Sequence, residues 1–414
     1  MPSAILWSPS SKAAAWDDRR MNEEQRYVVK RIWKSKLQSM LFFLCRIFPV
    51  RRKKIVFCCI EGTTGYTCNP KYIAEEFIRR DQGYELVWLV DDMEKKFPEE
   101  IKKVHNTLWN RAYHLTTAHF WVDNSRKQLE VRKRRGQIYI QTWHAKLGFK
   151  PTCLDRGTSF SRIAYLVSKH DSNMIDYVLS NSKWYDDTLP TGMIYHGPVL
   201  RVGSPRCDIL VNDRTEIRKK VRGNYGLSEH AKIIMYAPTF RGGSQGTERS
   251  IEVGGEFPDY DRLAGALERR FGGKWFVLVR LHPQLVARNM DMDVKAKNFI
   301  DVSRVDDMYE ILAACDAFMT DYSSAAFDAA VMRIPIFLYA YDYAEYKEER
   351  GGLLWDLKEL PFPLATNDDE LEEGIGGFIE EMYLYKLRKL METVDMTEDG
   401  RASEKVVTYL MERS

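Results

Sequence analysis

Two histidines and one serine-rich turn carry the side chains best suited to chemistry at neutral pH. His144 lies in QTWHAKLG and His282 in RLHPQ. Histidine alone has an ordinary pKa near neutrality, so His144 is a candidate general base and His282 a candidate donor to a leaving phosphate. Each is alternatively a hydrogen-bonded structural histidine. The turn is TDYSS, residues 320–324. Asp321, Ser323 and Ser324 fall where a strand gives way to a helix, so a hydroxyl can cap one backbone N–H while the others, with the helix dipole, favour an anion such as phosphate. The plainer alternative is a helix cap and nothing more. In YAPTFRGG, Thr239 and Arg241 precede two glycines that let the backbone approach a phosphate, with Arg241 supplying charge, or they form a surface turn. Arg350, beside Gly351 and Gly352, is either a phosphate clamp or the solvated end of EYKEERGG.

The elements that must hold these groups alternate between strand and helix. Around the turn, residues 317–320 and 334–339 read as buried strands joined by a helix from Ser323 to about Met332. Further strands are expected at 55–60, 85–90, 120–123, 137–142 and 177–181, with helices near 71–80, 98–104 and 112–118. A second set is expected at 233–237, 275–281 and 299–302, with helices near 260–270 and 308–314. Apolar runs without alternation, separated by helices, imply parallel sheets covered on both faces. The chain therefore reads as α/β with two Rossmann-like domains facing a central cleft, residues 54–210 and 211–414, preceded by residues 1–53. His144, Thr239 with Arg241, His282, and Asp321 to Ser324 each follow a strand, and the carboxyl edge of such sheets is where ligands bind.

Residues 1–54 hold thirteen Lys or Arg against four Asp or Glu, so with a net charge of +3 the remaining 360 residues sum to −6. A mildly acidic body disfavours a nucleic-acid-binding enzyme. Residues 1–20 read as loose and lack the pattern of a secretory signal, and Met21 is a second possible start. In residues 22–54, Tyr27, Val28, Ile32, Trp33, Leu37, Met40, Leu41 and Leu44 recur at helical spacing with basic residues mainly outside the stripe. Such a helix is too interrupted to span a bilayer and suits an anionic membrane surface; alternatively it packs on its own domain. Seven scattered cysteines without a CxxC pair point to a reducing compartment rather than disulfides or zinc. No GxGxxG follows a strand and no GxxxxGK[ST] or HExxH occurs, so neither a dinucleotide cofactor nor a metal is expected.

Taken together, QTWH, GSPRCD, YAPTFR, RLHP, TDYSS and YAYDYAEYKEERG, in this order between about Lys54 and Glu380, resemble the CDP-glycerol:poly(glycerophosphate) glycerophosphotransferase family of teichoic acid and capsule synthesis. The resemblance implies a GT-B type fold, an acceptor domain followed by a CDP-alcohol domain, and a peripheral position on the cytoplasmic face of the membrane. It implies that His144 is the base, His282 the second histidine, and Ser323, Ser324 and Arg350 neighbours of the CDP diphosphate. The expected reaction moves glycerol phosphate from CDP-glycerol to a hydroxyl of a lipid-linked acceptor and releases CMP. The alternatives are CDP-ribitol as donor, glycosyl transfer from a nucleotide sugar on the same fold, or a degenerate membrane-surface binding module. Ala145 and Lys146 stand where the family usually has Gly and Thr, and Cys207 replaces a common Asn. These departures bear on the acceptor and the alcohol more than on the reaction type.

Overall fold

A computed structural model describes residues 22–239, 257–281, 296–349 and 352–414, with the backbone of 241–242 and 251–252. The first sheet has seven strands: β1 (Arg51–Cys58), β2 (Glu85–Val90), β3 (Ile101–His105), β4 (Ala118–Asp123), β5 (Ile138–Gln141), β6 (Tyr177–Ser180) and β7 (Val199–Arg201), in the order β3-β2-β1-β4-β5-β6-β7. Every pairing in it is parallel. Period-two alternation sorts its side chains cleanly between two cores. Val56, Val87, Trp121 and Tyr139 enter one, while Ile55, Phe57, Trp88, Phe120 and Ile140 enter the other.

Helices α1 (Glu23–Leu44) and α3 (Leu108–Thr117) lie on the first of these faces, and α2 (Cys68–Arg80) lies on the other. Two more helices, α4 (Arg162–Ser172) and α5 (Lys183–Gly192), flank β6. The crossover to the second domain carries α6 (Asp208–Val211) and α7 (Thr215–Asn224).

The second sheet contains β8 (Lys232–Tyr236), β11 (Trp275–Val279), β12 (Phe299–Asp301), β13 (Ala317–Thr320), β14 (Ile336–Tyr339) and β15 (Leu364–Ala365), in the order β12-β11-β8-β13-β14-β15; β9 (Arg241–Gly242) and β10 (Ile251–Glu252) form a separate antiparallel pair. This sheet is also wholly parallel. Among the described residues its helices are α8 (Tyr260–Phe271), α9 (Met308–Ala313), α10 (Ala325–Ala330), α11 (Tyr343–Glu349), α12 (Asp368–Gly376) and α13 (Glu380–Thr393). Both sheets reverse strand order at the same relative place, between β1 and β4 and between β8 and β13, which is where a doubly wound sheet opens a crevice.

The two-domain α/β architecture expected from the sequence is what the chain adopts, with three local corrections. Residues 98–104, expected as a helix, contain the edge strand β3, whose exposed Lys102 is tolerated because only one side of it pairs. The helix expected at 323–332 is only Ala325–Ala330. Finally, α1 is not free of the domain: Phe42 and, just beyond the helix, Cys45 are buried in the core it shares with α3. Of the apolar stripe that the sequence suggested, Val28 is buried and Ile32 and Leu41 are half-buried, while the rest turns outward, with Trp33 67% and Leu37 70% exposed alongside Tyr27, Met40 and Leu44. Apart from these corrections, the last helix, α14 (Ala402–Met411), leaves the second domain and braces it on the first, burying Val406, Val407 and Leu410 in the first domain's core beside α2.

Candidate active site

His144 is presented by a strained turn at the end of β5. Trp143 adopts φ 50°, a region that bulky residues rarely enter. Its N–H donates to Gln141 Oε1 at 3.0 Å and its carbonyl accepts from Asn69 Nδ2 at 2.8 Å, so the turn is held from both sides. His144 Nδ1 then lies 2.6 Å from the carbonyl oxygen of Asn124, just past β4. A carbonyl oxygen can only accept, so Nδ1 carries the proton and the Nε2 lone pair is left to accept another. Burial pushes the imidazole pKa below its ordinary value, and the Asn124 carbonyl opposes only part of that shift. The ring is therefore neutral at pH 7, the protonation state a base requires.

The neighbouring loops are cross-tied at the switch point. Asn124 Oδ1 accepts from Ile60 N at 2.8 Å and Ser125 Oγ accepts from Glu61 N at 2.8 Å, linking the loop after β4 to the loop after β1. Sequence reading missed Asn124. Its only prior signal was its place after an apolar strand.

In the second domain Asp321 occupies the matching place after β13. Its carboxylate accepts from Thr239 N at 2.9 Å, Thr239 Oγ1 at 2.9 Å and Tyr322 N at 2.6 Å. Asp321 and Thr239 bind each other across the β8/β13 switch. Ser323 Oγ accepts from Ala325 N at 3.3 Å, whereas Ser324 makes no side-chain cap bond. Both serines are half-buried. The side chain of Arg241, and all of His282 and Arg350, lie outside the described residues. No group of three or more His, Cys, Asp or Glu side chains among the described residues is arranged to hold a metal ion.

Two ties bring the His144 loop to the TDYSS turn. Tyr322 stacks on Tyr346 with centroids 3.8 Å apart and planes 4° from parallel, and Lys150 Nζ lies 5.5 Å from the Tyr346 ring. Phe149 packs on Phe327 of α10 at 5.0 Å, while Trp355 Nε1 donates to Gly148 O at 3.1 Å. The second tie is ionic. Arg206, in the GSPRCD crossover, donates through Nη1 to His144 O at 2.8 Å and through Nη2 to Asp328 Oδ2 of α10 at 2.7 Å. Lys146 is buried and donates to Gly203 O at 3.0 Å and Ser204 Oγ at 2.9 Å. Burial pushes its pKa below the ordinary lysine value and that of nearby Glu398 above the ordinary carboxyl value, each opposed by the charge of the other. Farther along the domain junction, Lys71 Nζ meets Asp307 Oδ2 at 2.6 Å with both side chains 4% exposed.

Residues 40–412 match the model of the CDP-glycerol:poly(glycerophosphate) glycerophosphotransferase family. The chain is 28% identical over 386 residues to a teichoic acid poly(glycerol phosphate) polymerase of Bacillus subtilis (strain 168), covering 90% of this chain and half the length of that polymerase. It is 29% identical over 363 residues to a teichoic acid glycerol-phosphate transferase of Staphylococcus aureus (strain NCTC 8325 / PS 47), covering 82% of this chain and 88% of the relative. Among solved structures, the wall teichoic acid polymerase TagF, in an H444N form soaked with CDPG, superposes with a TM-score of 0.77 at 25% identity over 94% of this chain and 96% of that one. The chain belongs to the CDP-glycerol:poly(glycerophosphate) glycerophosphotransferase family.

Proposed function

We propose that the protein is a glycerophosphotransferase that moves glycerol phosphate from CDP-glycerol to a hydroxyl of a lipid-linked, teichoic-acid-like or capsular polymer, releasing CMP. The observation that carries this reading is the His144 tautomer, fixed by the 2.6 Å bond to Asn124 with Nε2 left as an acceptor, on a loop tied to the TDYSS turn. The acceptor oxygen forms a bond to the phosphorus nearest the glycerol, its proton passes to Nε2, and the bond from that phosphorus to the CMP oxygen breaks. Ser323, Ser324 and the backbone around them are read as neighbours of the diphosphate. Thr239 and Asp321 are read as the brace behind it. His282, Arg241 and Arg350 are retained from the sequence as groups that stabilise the leaving CMP.

The exposed stripe of α1 is read as a seat on the cytoplasmic face of an anionic membrane. Trp33, Leu37, Met40 and Leu44 lie opposite the buried Val28, Ser35, Ser39 and Phe42, and Lys30 and Lys36 flank the stripe. Among the described residues no helix is long and apolar enough to cross a membrane. Full-length protein should float with anionic vesicles at low salt and be only partly released at high salt. Protein that stays unbound at low salt would refute the seat.

The activity itself is tested by measuring CMP release by full-length protein from CDP-glycerol, CDP-ribitol and UDP-sugars with a lipid-linked primer, with and without EDTA. Release from CDP-glycerol that is insensitive to EDTA is expected. Preference for CDP-ribitol would reassign the alcohol, use of a UDP-sugar would reassign the reaction, and no turnover of any donor would favour a binding module.

A further inference from the structure

Arg206 does not stand on either face where substrate is expected, yet it touches both halves of the site. Its side chain is 4% exposed and spans the domain junction. On one side Nη1 donates to the His144 carbonyl at 2.8 Å, and the Arg206 N–H donates to Asn69 Oδ1 at 3.1 Å. Asn69 passes this on, since its Nδ2 donates to the Trp143 carbonyl at 2.8 Å. The two peptide groups of the strained turn are therefore both held through one residue. On the other side Nη2 donates to Asp328 Oδ2 at 2.7 Å, and Tyr309 Oη donates to the same oxygen at 2.6 Å while its ring lies 5.0 Å from the guanidinium. Asp328 is on α10, the helix that opens directly from TDYSS.

We propose that Arg206 is a positioning residue that sets where the His144 imidazole stands relative to the phosphate turn, by clamping the His144 loop to α10. The proposal rests on the glycerophosphotransfer reading above for its catalytic consequence, though not for its geometry. A fork of fixed width makes this possible: one guanidinium reaches two acceptors on two domains, whereas an ammonium is a single point donor. A displacement of about 1 Å of a catalytic group costs on the order of 10²-fold in rate. The opposing possibility is that Arg206 only neutralises Asp328 in the junction.

The test compares full-length wild type with Arg206→Lys, which keeps a cation opposite Asp328, and Arg206→Met, which removes it. If Arg206 positions His144, Arg206→Lys stays folded and binds CDP within about 3-fold of wild type, while kcat for CMP release falls roughly 10- to 100-fold. Arg206→Met should in addition move the acid limb of the kcat/KM profile to higher pH. The charged and titratable groups facing the imidazole are Cys68 of α2, Asp123 of β4 and Arg206 itself, and Arg206 is the one that opposes its protonation. A second readout does not depend on turnover. In 15N-histidine spectra of the full chain, with His144 assigned by its loss in His144→Gln, the His144 tautomer or titration should change in both Arg206 variants. Wild-type kcat in Arg206→Lys, or an unchanged His144 signal in both variants, overturns the proposal. If wild type turns over no CDP-alcohol while the His144 signal moves, the functional reading falls and the positioning of His144 by Arg206 stands.

Discussion

The two sheets solve the same problem at their switch points and leave different groups over. After β4, Asn124 accepts from the loop after β1; after β13, Asp321 accepts from the loop after β8. In the second domain at least three donors among the described residues engage the carboxylate, and a carboxylate offers about four acceptor sites, so most of its capacity serves the fold. In the first domain the brace is an amide, and its backbone carbonyl is used to orient His144 while Nε2 of that ring is kept for something else. Residue type at a strand's carboxyl edge therefore says less than remaining hydrogen-bond capacity. A histidine with one nitrogen committed is equipped for proton transfer, whereas a carboxylate with its oxygens committed is a strut.

Substitutions on the two sides should separate these roles. The largest effect is expected for His144→Ala, which should lower kcat by about 10² or more while calorimetry finds CDP binding nearly unchanged. Equal turnover would remove His144 from the chemistry. Asp321→Ala should act first on stability: it strands the N–H groups of Thr239 and Tyr322 and is expected to cost about 2 kcal/mol in urea denaturation. A variant of wild-type stability that has lost CDP binding would show that Asp321 is a ligand rather than a strut. The smallest effect is expected for Ser324→Ala. Since Ser324 makes no side-chain cap bond, stability should stay within about 0.5 kcal/mol, and any fall in CDP affinity then reports a direct contact.

Much of this was legible in the sequence because buried parallel strands write themselves as uninterrupted apolar runs. Residues 85–90 and 317–320 are both strands as expected. Edge strands lack that signature, which is why β3, with Lys102 and Lys103 at its centre, passed for a helix. The placement of His144 and of the TDYSS turn after strands could be read, because strand ends are local features. What joins them could not. Arg206 and Asp328 are separated by 122 residues in sequence, and Lys71 and Asp307 by 236, so nothing local to either partner announces the pair. The direction of α1 was hidden for a related reason. Its buried face uses Ser35 and Ser39 as well as Val28 and Phe42, so most of the apolar stripe, Val28 apart, was not the packed one. Removing residues 1–52 would take Phe42 and Cys45 out of the core and cut into β1, so truncation should unfold the first domain rather than free a soluble enzyme.

The claim on which the rest depends is that neutral His144 takes the acceptor's proton. It is tested most directly by the pH dependence of kcat/KM for CMP release in wild type and His144→Ala. Burial lowers the His144 pKa, so the neutral, active form persists below the ordinary imidazole value of 6.5 and is lost only as pH falls through the lowered one. Wild type should therefore show an acid limb below pH 6.5, and the residual activity of His144→Ala should lack it. An acid limb that survives unchanged in His144→Ala would contradict the account.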